Sequence, residues 1–169
     1  EITFLDVGKG DSAFLEFPRG GTMLIDGGDA LGPDMGRLIV SRFLASKGIN
    51  KIDVVAATHP HTDHVGGLAA VLKNFKVRYF IDNGDYEDNP LYKKCRHILA
   101  QKKIKRFVVR DNEAIEGFKG ADLFVLNPPP EKFQDKNDNS LVIKLTHGKF
   151  SVLFCADIKE EAAKGLLAR

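Results

Sequence analysis

Ile2 to Val7, Ala13 to Phe17 and Thr22 to Ile25 are short, largely apolar segments with glycine-bearing turns between them, and the first opens in strand-like alternation. Short apolar segments separated by such turns predict an antiparallel meander of strands. The third strand runs out on Asp26-Gly27-Gly28, so a carboxylate stands at its C-terminal end and two glycines let the backbone leave steeply. From Asp34 to Lys47 the period changes. Met35, Leu38, Ile39, Phe43 and Leu44 fall on one helical face, and Gly48 supplies a stop. Ile52 to Ala57 is apolar apart from Asp53, the pattern of a strand covered on both faces by other elements. A polar loop Thr58 to Gly67 follows, then a short helix from Leu68 to Phe75, a strand from Val77 to Ile81 and a polar loop from Asp82 to Pro90.

Leu91 to Lys103 reads as a basic helix, Phe107 to Val109 and Ala121 to Leu126 as strands, and Pro128-Pro129-Pro130 as a stiff break. Strands at Ser140 to Leu145 and Ser151 to Cys155 flank a turn at His147-Gly148, and an amphipathic helix runs on to Arg169. Strands and helices alternating after an antiparallel start predict a layered α/β architecture whose sheet edges present loops to a site.

Composition narrows the classes. At 169 residues, 43% hydrophobic and 28% charged, the chain has the makings of one sizeable core, and residues 1–169 read as one domain. Its longest apolar runs are about five residues, against the ~20 that a membrane span needs. No signal or transit segment opens the chain, which leaves the compartment unassigned. A net charge of +2 excludes a globally basic nucleic-acid binder, so any affinity for polyanions has to come from a site. Cys95 and Cys155 have no CxxC spacing and read as small apolar fillers. Because the chain starts in strand-like alternation at Glu1 and ends within a helical pattern, it is expected to be a piece of something longer.

The chemistry concentrates in Thr58-His59-Pro60-His61-Thr62-Asp63-His64-Val65-Gly66-Gly67. Three of the five histidines and one carboxylate fall within six positions, between a buried strand and a helix. In a turning loop the side chains of His59 and His61 point the same way, while those of Asp63 and His64 diverge. The spacing can feed two adjacent divalent ions, His59 and His61 to one, Asp63 and His64 to the other. Imidazole with carboxylate suits Zn²⁺, Mn²⁺ or Fe²⁺ at hydrolytic two-metal sites, where a water is acidified enough to attack at neutral pH. A polar surface loop whose histidines only cap a helix is the bland alternative, and the density of ligand-type residues argues against it.

These residues resemble the metallo-β-lactamase superfamily, whose hallmark is HxHxDH after a strand. Together with Leu5-Asp6-Val7-Gly8-Lys9-Gly10-Asp11-Ser12, Leu24-Ile25-Asp26-Gly27-Gly28 and Asn137-Asp138-Asn139-Ser140-Leu141-Val142, they resemble the hydrolase domain of ComEC-type competence proteins, which act in DNA uptake. The resemblance implies an αββα sandwich, here expected to lack its C-terminal part. It implies His59, His61, Asp63 and His64 as metal ligands, with Asp63 also orienting the attacking water. Asp26 would support the histidine loop without touching metal, and Asp157 would bridge two ions of Zn or Mn. A further histidine usually completes the first site, but none lies between His97 and His147. Asp138 is the candidate in its place, with Asn139 second and otherwise a supporting residue. Two departures stand out: Lys9 replaces the usual glutamine, and Ala156-Asp157 replaces Gly-Asp. A fifth-motif histidine has no counterpart before Arg169. The implied activity is phosphodiester hydrolysis, with DNA as substrate and a membrane channel attached in a longer parent chain.

Other features compete with or extend that reading. The turn Val7 to Ser12 lacks P-loop spacing, which excludes a nucleotide cofactor, although Lys9, Asp11 and Ser12 remain candidates to contact a phosphate. Asp6 reads equally well as a turn-stabilising carboxylate. From Leu91 to Arg110 there are eight Lys or Arg and no Asp or Glu, a run that suits phosphate contacts through Lys102 and Lys103 or else a solvated helix face. His97 and His147 read as surface residues. Two alternatives to a nuclease are a non-catalytic module binding nucleic acid or a protein partner through that run, and a hydrolase of small esters or phosphoesters.

Overall fold

The computed structural model describes residues 1–168, so the expectation of a helix reaching Arg169 lies at its last position outside the described residues. A six-stranded sheet carries, side by side, β1 (Ile2–Phe4), β2 (Ala13–Glu16), β3 (Thr22–Ile25), β4 (Lys51–Ala57), β5 (Lys76–Asp82) and β6 (Lys105–Val108). The first three form the antiparallel meander, and β3 to β6 run parallel. Crossovers through helices explain the change: a π-helical turn Gly36–Val40 leads into α1 (Ser41–Ser46), and α3 (Leu68–Asn74) and α4 (Pro90–Gln101) follow their strands. A second sheet holds β7 (Asp122–Asn127), β8 (Val142–His147) and β9 (Phe150–Phe154), all antiparallel, and α5 (Glu160–Leu167) contacts β7.

Side-chain alternation sorts the core into two layers. The cross-strand row Leu24, Val55 and Phe80 packs with Val40, Leu44, Leu68 and Leu72 beneath the helices. The neighbouring row Ile25, Ala56 and Ile81 meets Leu123, Val125, Ile143 and Leu145 of the second sheet. The central strands are therefore covered on both faces, as the apolar run Val54 to Ala57 predicts for β4. The order helices, sheet, sheet, helix is the expected αββα sandwich. Among the described residues no helix is long and apolar enough to cross a membrane.

Three local departures have physical causes. The helix predicted as one piece from 34 begins as the wide π turn, in which both the amide and the hydroxyl of Ser41 donate to Gly36 O, the latter at 2.6 Å. That turn lies against Gly67, where a Cβ would sit 2.0 Å from Gly27 O, so the helical layer approaches the sheet only through glycine. The loop after β4 winds into one helical turn, α2 (Thr62–Val65), with the amides of His64 and Val65 donating to His61 O. Three cations of the basic run, Lys93, Lys94 and Arg96, lie on the outer face of α4, whose Tyr92, Cys95, Ile98 and Leu99 are buried and whose Asn89 side chain caps Tyr92 N at 2.8 Å.

Candidate metal centre

The loops after β3, β4 and β9 meet the turn before β8 at one end of the sandwich, and Asp26 organises the meeting. It is fully buried and sits in the left-handed region with φ 57, a conformation aspartate tolerates better than most residues. Its amide donates to Ala56 O at 2.9 Å, and Ser12 Oγ donates to its carbonyl at 3.1 Å. One carboxylate oxygen accepts from Thr58 N at 2.8 Å. The other accepts from Thr58 Oγ1 at 2.6 Å and from His64 Nδ1 at 2.8 Å.

This network sets both buried tautomers. A carboxylate only accepts, so the hydrogen of His64 stands on Nδ1 and Nε2 is aimed away from Asp26. The Thr58 hydroxyl uses its hydrogen on Asp26, so at 3.2 Å its oxygen accepts from His59 Nδ1, leaving His59 Nε2 to face the site. His59 Nε2 stands 3.1 Å from His61 Nδ1 and 3.9 Å from Asp157 Oδ2, and His64 Nε2 stands 3.4 Å from Asp157 Oδ1. Donors of a tetrahedral ion with bonds of about 2.0–2.1 Å lie about 3.3 Å apart, so these spacings fit a divalent cation. Among the described residues His59, His64 and Asp157 form a group of ligand atoms all within 4.8 Å of one another.

The electrostatics divide the two buried imidazoles. Burial, with the neighbouring charge of His64, pushes His59 down to about 4. Burial also opposes charge on His64, but the hydrogen bond and charge of Asp26, with Asp157 and Asp63 behind, bring it up to about 9. Asp63 is partly buried, which works against its ionisation. Its own backbone amide, His64 and Lys9 nevertheless hold it below the usual carboxylate range. Burial raises the Asp11 carboxyl, and the like charges of Asp26, Asp157 and Asp63 reinforce that against the pull of His64.

The remaining expected residues divide in two. Lys9 joins the site, with its Nζ 3.3 Å from Asp63 Oδ2. Gly10 makes that approach possible, because at φ +87 it lies where a Cβ would stand 1.7 Å from Asp63 O. Asp11, Ser12, Asp26, Thr58, Cys155 and Ala156 share a cleft of about 290 Å³ beside the histidines. Ser12 is buried and committed to Asp26, which removes it as a phosphate contact. Asp6 accepts from Gly8 N at 3.1 Å, a turn-stabilising role.

Asp138 lies outside the group formed by His59, His64 and Asp157. It is buried, and its Oδ1 accepts from Lys159 N at 2.7 Å and Ala162 N at 3.2 Å, satisfying the first turn of α5. Asn139 turns the other way, accepting from Phe133 N at 2.9 Å and donating to Phe133 O at 3.0 Å. Lys102 and Lys103 are also away from the site. Lys102 Nζ binds the carbonyls of Leu72 and Lys73, each at 2.7 Å, at the end of α3 opposite the histidine loop, where helix carbonyls lack partners. Lys103, with φ 55, follows the end of α4. Sequence reasoning missed Asn83 and Asn127, both buried. Their amides clamp the 138–140 backbone by donating to Asn139 O at 2.8 Å, Asp138 O at 2.7 Å and Ser140 O at 2.8 Å. Their only mark in the sequence is that each closes a strand.

Comparisons with known proteins agree with this geometry. The chain is 26% identical over 180 residues to ComE operon protein 3 of Bacillus subtilis (strain 168), in an alignment taking in 99% of this chain and 23% of that protein. It thus spans under a quarter of that relative's length. Its fold superposes on a metallo-beta-lactamase of Cronobacter sakazakii with a TM-score of 0.57 at 15% identity, over 91% of this chain and 55% of the other. It superposes on CmlA, a diiron beta-hydroxylase of Streptomyces venezuelae, with a TM-score of 0.55 at 21% identity, over 94% and 30%. The sequence model of the Metallo-beta-lactamase superfamily matches residues 5–169. On that match, and with the αββα layers in place, the chain belongs to the metallo-β-lactamase superfamily.

Proposed function

We propose that this chain is a metal-dependent phosphodiesterase of the ComEC-like branch, holding two divalent ions of Zn or Mn and cutting DNA. The observation that carries the reading is the placement of Asp157, whose two oxygens face different histidines, Oδ2 toward His59 and Oδ1 toward His64. A carboxylate so placed could help to hold two cations. His59 and His61 would hold the first, and His64 with Asp63 the second. Bound ions supply a nucleophile from water at neutral pH and neutralise charge on a phosphate. The chain's own residues do the rest: Asp63, kept ionised, accepts a proton from the attacking water, and Asp26 fixes the His64 ring through Nδ1. Lys9, whose side chain is 78% exposed beside Asp63, would be placed to meet the substrate's phosphate. The resemblance to ComEC-type proteins supports DNA as the substrate, and the 23% coverage of the competence-operon relative fits a hydrolase segment of a larger, membrane-attached protein.

The reading as a nucleic-acid-binding module has less to draw on. Of the eight cations in the 91–110 run, Lys93 pairs with Asp88, Lys102 with helix carbonyls, and Arg106 with Asp82 at 2.6 Å. The test is metal content together with hydrolysis of bis-p-nitrophenyl phosphate, p-nitrophenyl acetate and linear DNA, with and without added Mn²⁺ or Zn²⁺. Metal-dependent cleavage of the phosphodiester and the DNA, lost in His61→Ala, is the expected result. Cleavage of the acetate alone points to a small-ester hydrolase. Failure to retain either metal, with His61→Ala matching the wild type throughout, overturns the hydrolase.

A further inference from the structure

Two buried side-chain atoms on the turn before β8, Asn137 Oδ1 and Ser140 Oγ, have no hydrogen-bond partner. Buried polar atoms are paired in the large majority of cases, so two on one tight turn need an explanation. The turn itself is firmly held. Ser140 N donates to Asn137 O at 2.9 Å, Asn137 N donates to Asp135 Oδ1 at 2.9 Å, and the Asn83 and Asn127 amides clamp its carbonyls. Looseness therefore does not account for the two unpaired atoms.

The turn is bracketed by the segments that carry the ligands. Leu141 N donates to Thr58 O at 2.9 Å, one residue from His59, and Asp138 Oδ1 accepts from Lys159 N, two residues from Asp157. Asp135, which holds the Asn137 amide, is kept ionised chiefly by Lys159, and His61 is close enough to contribute. Of the polar side chains on 137–140, Asp138 is committed to α5 and Asn139 to the 133–135 backbone. That leaves Asn137 Oδ1 and Ser140 Oγ, and of the two the amide oxygen, an acceptor on the longer side chain, is the better donor to a cation.

We propose that Asn137 Oδ1 completes the coordination of the cation held by His59 and His61, the position for which Asp138 and Asn139 are the sequence candidates. This rests on the metal-centre reading above. An amide oxygen is a neutral, hard donor and suits Zn²⁺ or Mn²⁺ beside imidazoles. Because it is neutral, it leaves Asp157 as the sole anionic ligand on that side, and the ion there keeps more of its positive charge for a phosphate.

The test is a titration of metal-free protein with Co²⁺, followed by visible absorption, which reads affinity and coordination without turnover. Asn137→Ala is expected to weaken the first equivalent by at least about ten-fold and to change its band intensities, while Asn137→Asp retains binding. Should Asn137→Ala fail to fold, Asn137→Ser keeps a polar group in the turn but is too short to reach the ion, and carries the same expectation. Wild-type affinity and spectrum in the folded Asn137→Ala or Asn137→Ser variant overturns the assignment, as does a loss of affinity in Asp138→Ala instead. His61→Ala run alongside separates the two levels. If it loses Co²⁺ binding while Asn137→Ala does not, the metal centre stands and this inference falls. If both bind as wild type, the metal centre itself is wrong.

Discussion

Two segments crowded with ligand-type side chains run past the same end of the sandwich, 58–64 and 135–140, and they use those side chains in opposite ways. In the first, Asp26 and Thr58 supply the hydrogen-bond partners of the ring nitrogens that face inward, so the outer nitrogens of His59 and His64 converge on Asp157. In the second, backbone amides take the best acceptors. Asp138 goes to the first turn of α5, and Asn139 closes a loop on Phe133. Side-chain type is similar in both segments. What separates them is which unpaired backbone groups the fold places within reach, because a buried amide without an acceptor costs about as much as a lost hydrogen bond.

The largest expected effect breaks the first segment at its root. Asp26→Ala leaves the Thr58 amide, the Thr58 hydroxyl and a buried charged His64 without an acceptor, and should cost about 3–5 kcal/mol in denaturant unfolding. A loss no greater than that of a surface substitution would show that the network does not hold the loop.

Proton linkage in the metal-free protein sharpens the comparison. His64, raised from 6.5 to about 9, contributes stability that is complete below 6.5 and is lost as pH climbs toward 9. His59, lowered from 6.5 to about 4, must stay neutral, so its environment destabilises the fold as pH drops from 6.5 toward 4. Thermal melts across this range should therefore be highest near pH 6.5 and fall on both sides. Asp26→Asn should flatten the alkaline limb, and an unchanged limb would assign it to another group.

In the second segment, Asp138→Ala removes a helix cap and should cost about 0.5–2 kcal/mol while leaving Co²⁺ affinity intact. His61→Ala should show the reverse, with metal affinity lost and unfolding little changed. Ala156, next to Asp157, has φ 46, a region where a Cβ is strained. Ala156→Gly should stabilise by about 0.5–1 kcal/mol, read as a shift in the denaturant midpoint. Smallest of all, Lys9→Ala should leave stability unchanged, since its ion pair with Asp63 is exposed on the lysine side, and should raise KM for the phosphodiester by a few-fold. An unaltered KM would remove Lys9 from the substrate's path.

Strand and helix order were legible because each element carries its own period. The apolar run Val54 to Ala57 in β4 and the helical spacing of α4 needed no knowledge of partners. The π turn at Gly36–Val40 was not legible, because a contact with Gly67, far along the chain, shapes it. The histidine loop was legible for the opposite reason from the 137–140 turn: its histidines are local, five residues apart at most, whereas the fate of Asp138 depends on amides 21 and 24 residues away. Lys102 follows the same rule, since its partners are carbonyls about 30 residues earlier on another helix.

The sequence by itself determined the layer order, the identity of the histidine cluster and the acidic residue that closes each flanking strand, because patterns of burial and short-range spacing are written along the chain. Only the tertiary structure decided which polar side chains reach the site. That choice rests on distances between segments remote in sequence. An acceptor near an unpaired helix amide is taken by it, and Asn137 Oδ1, with no such amide in reach, is left for another partner.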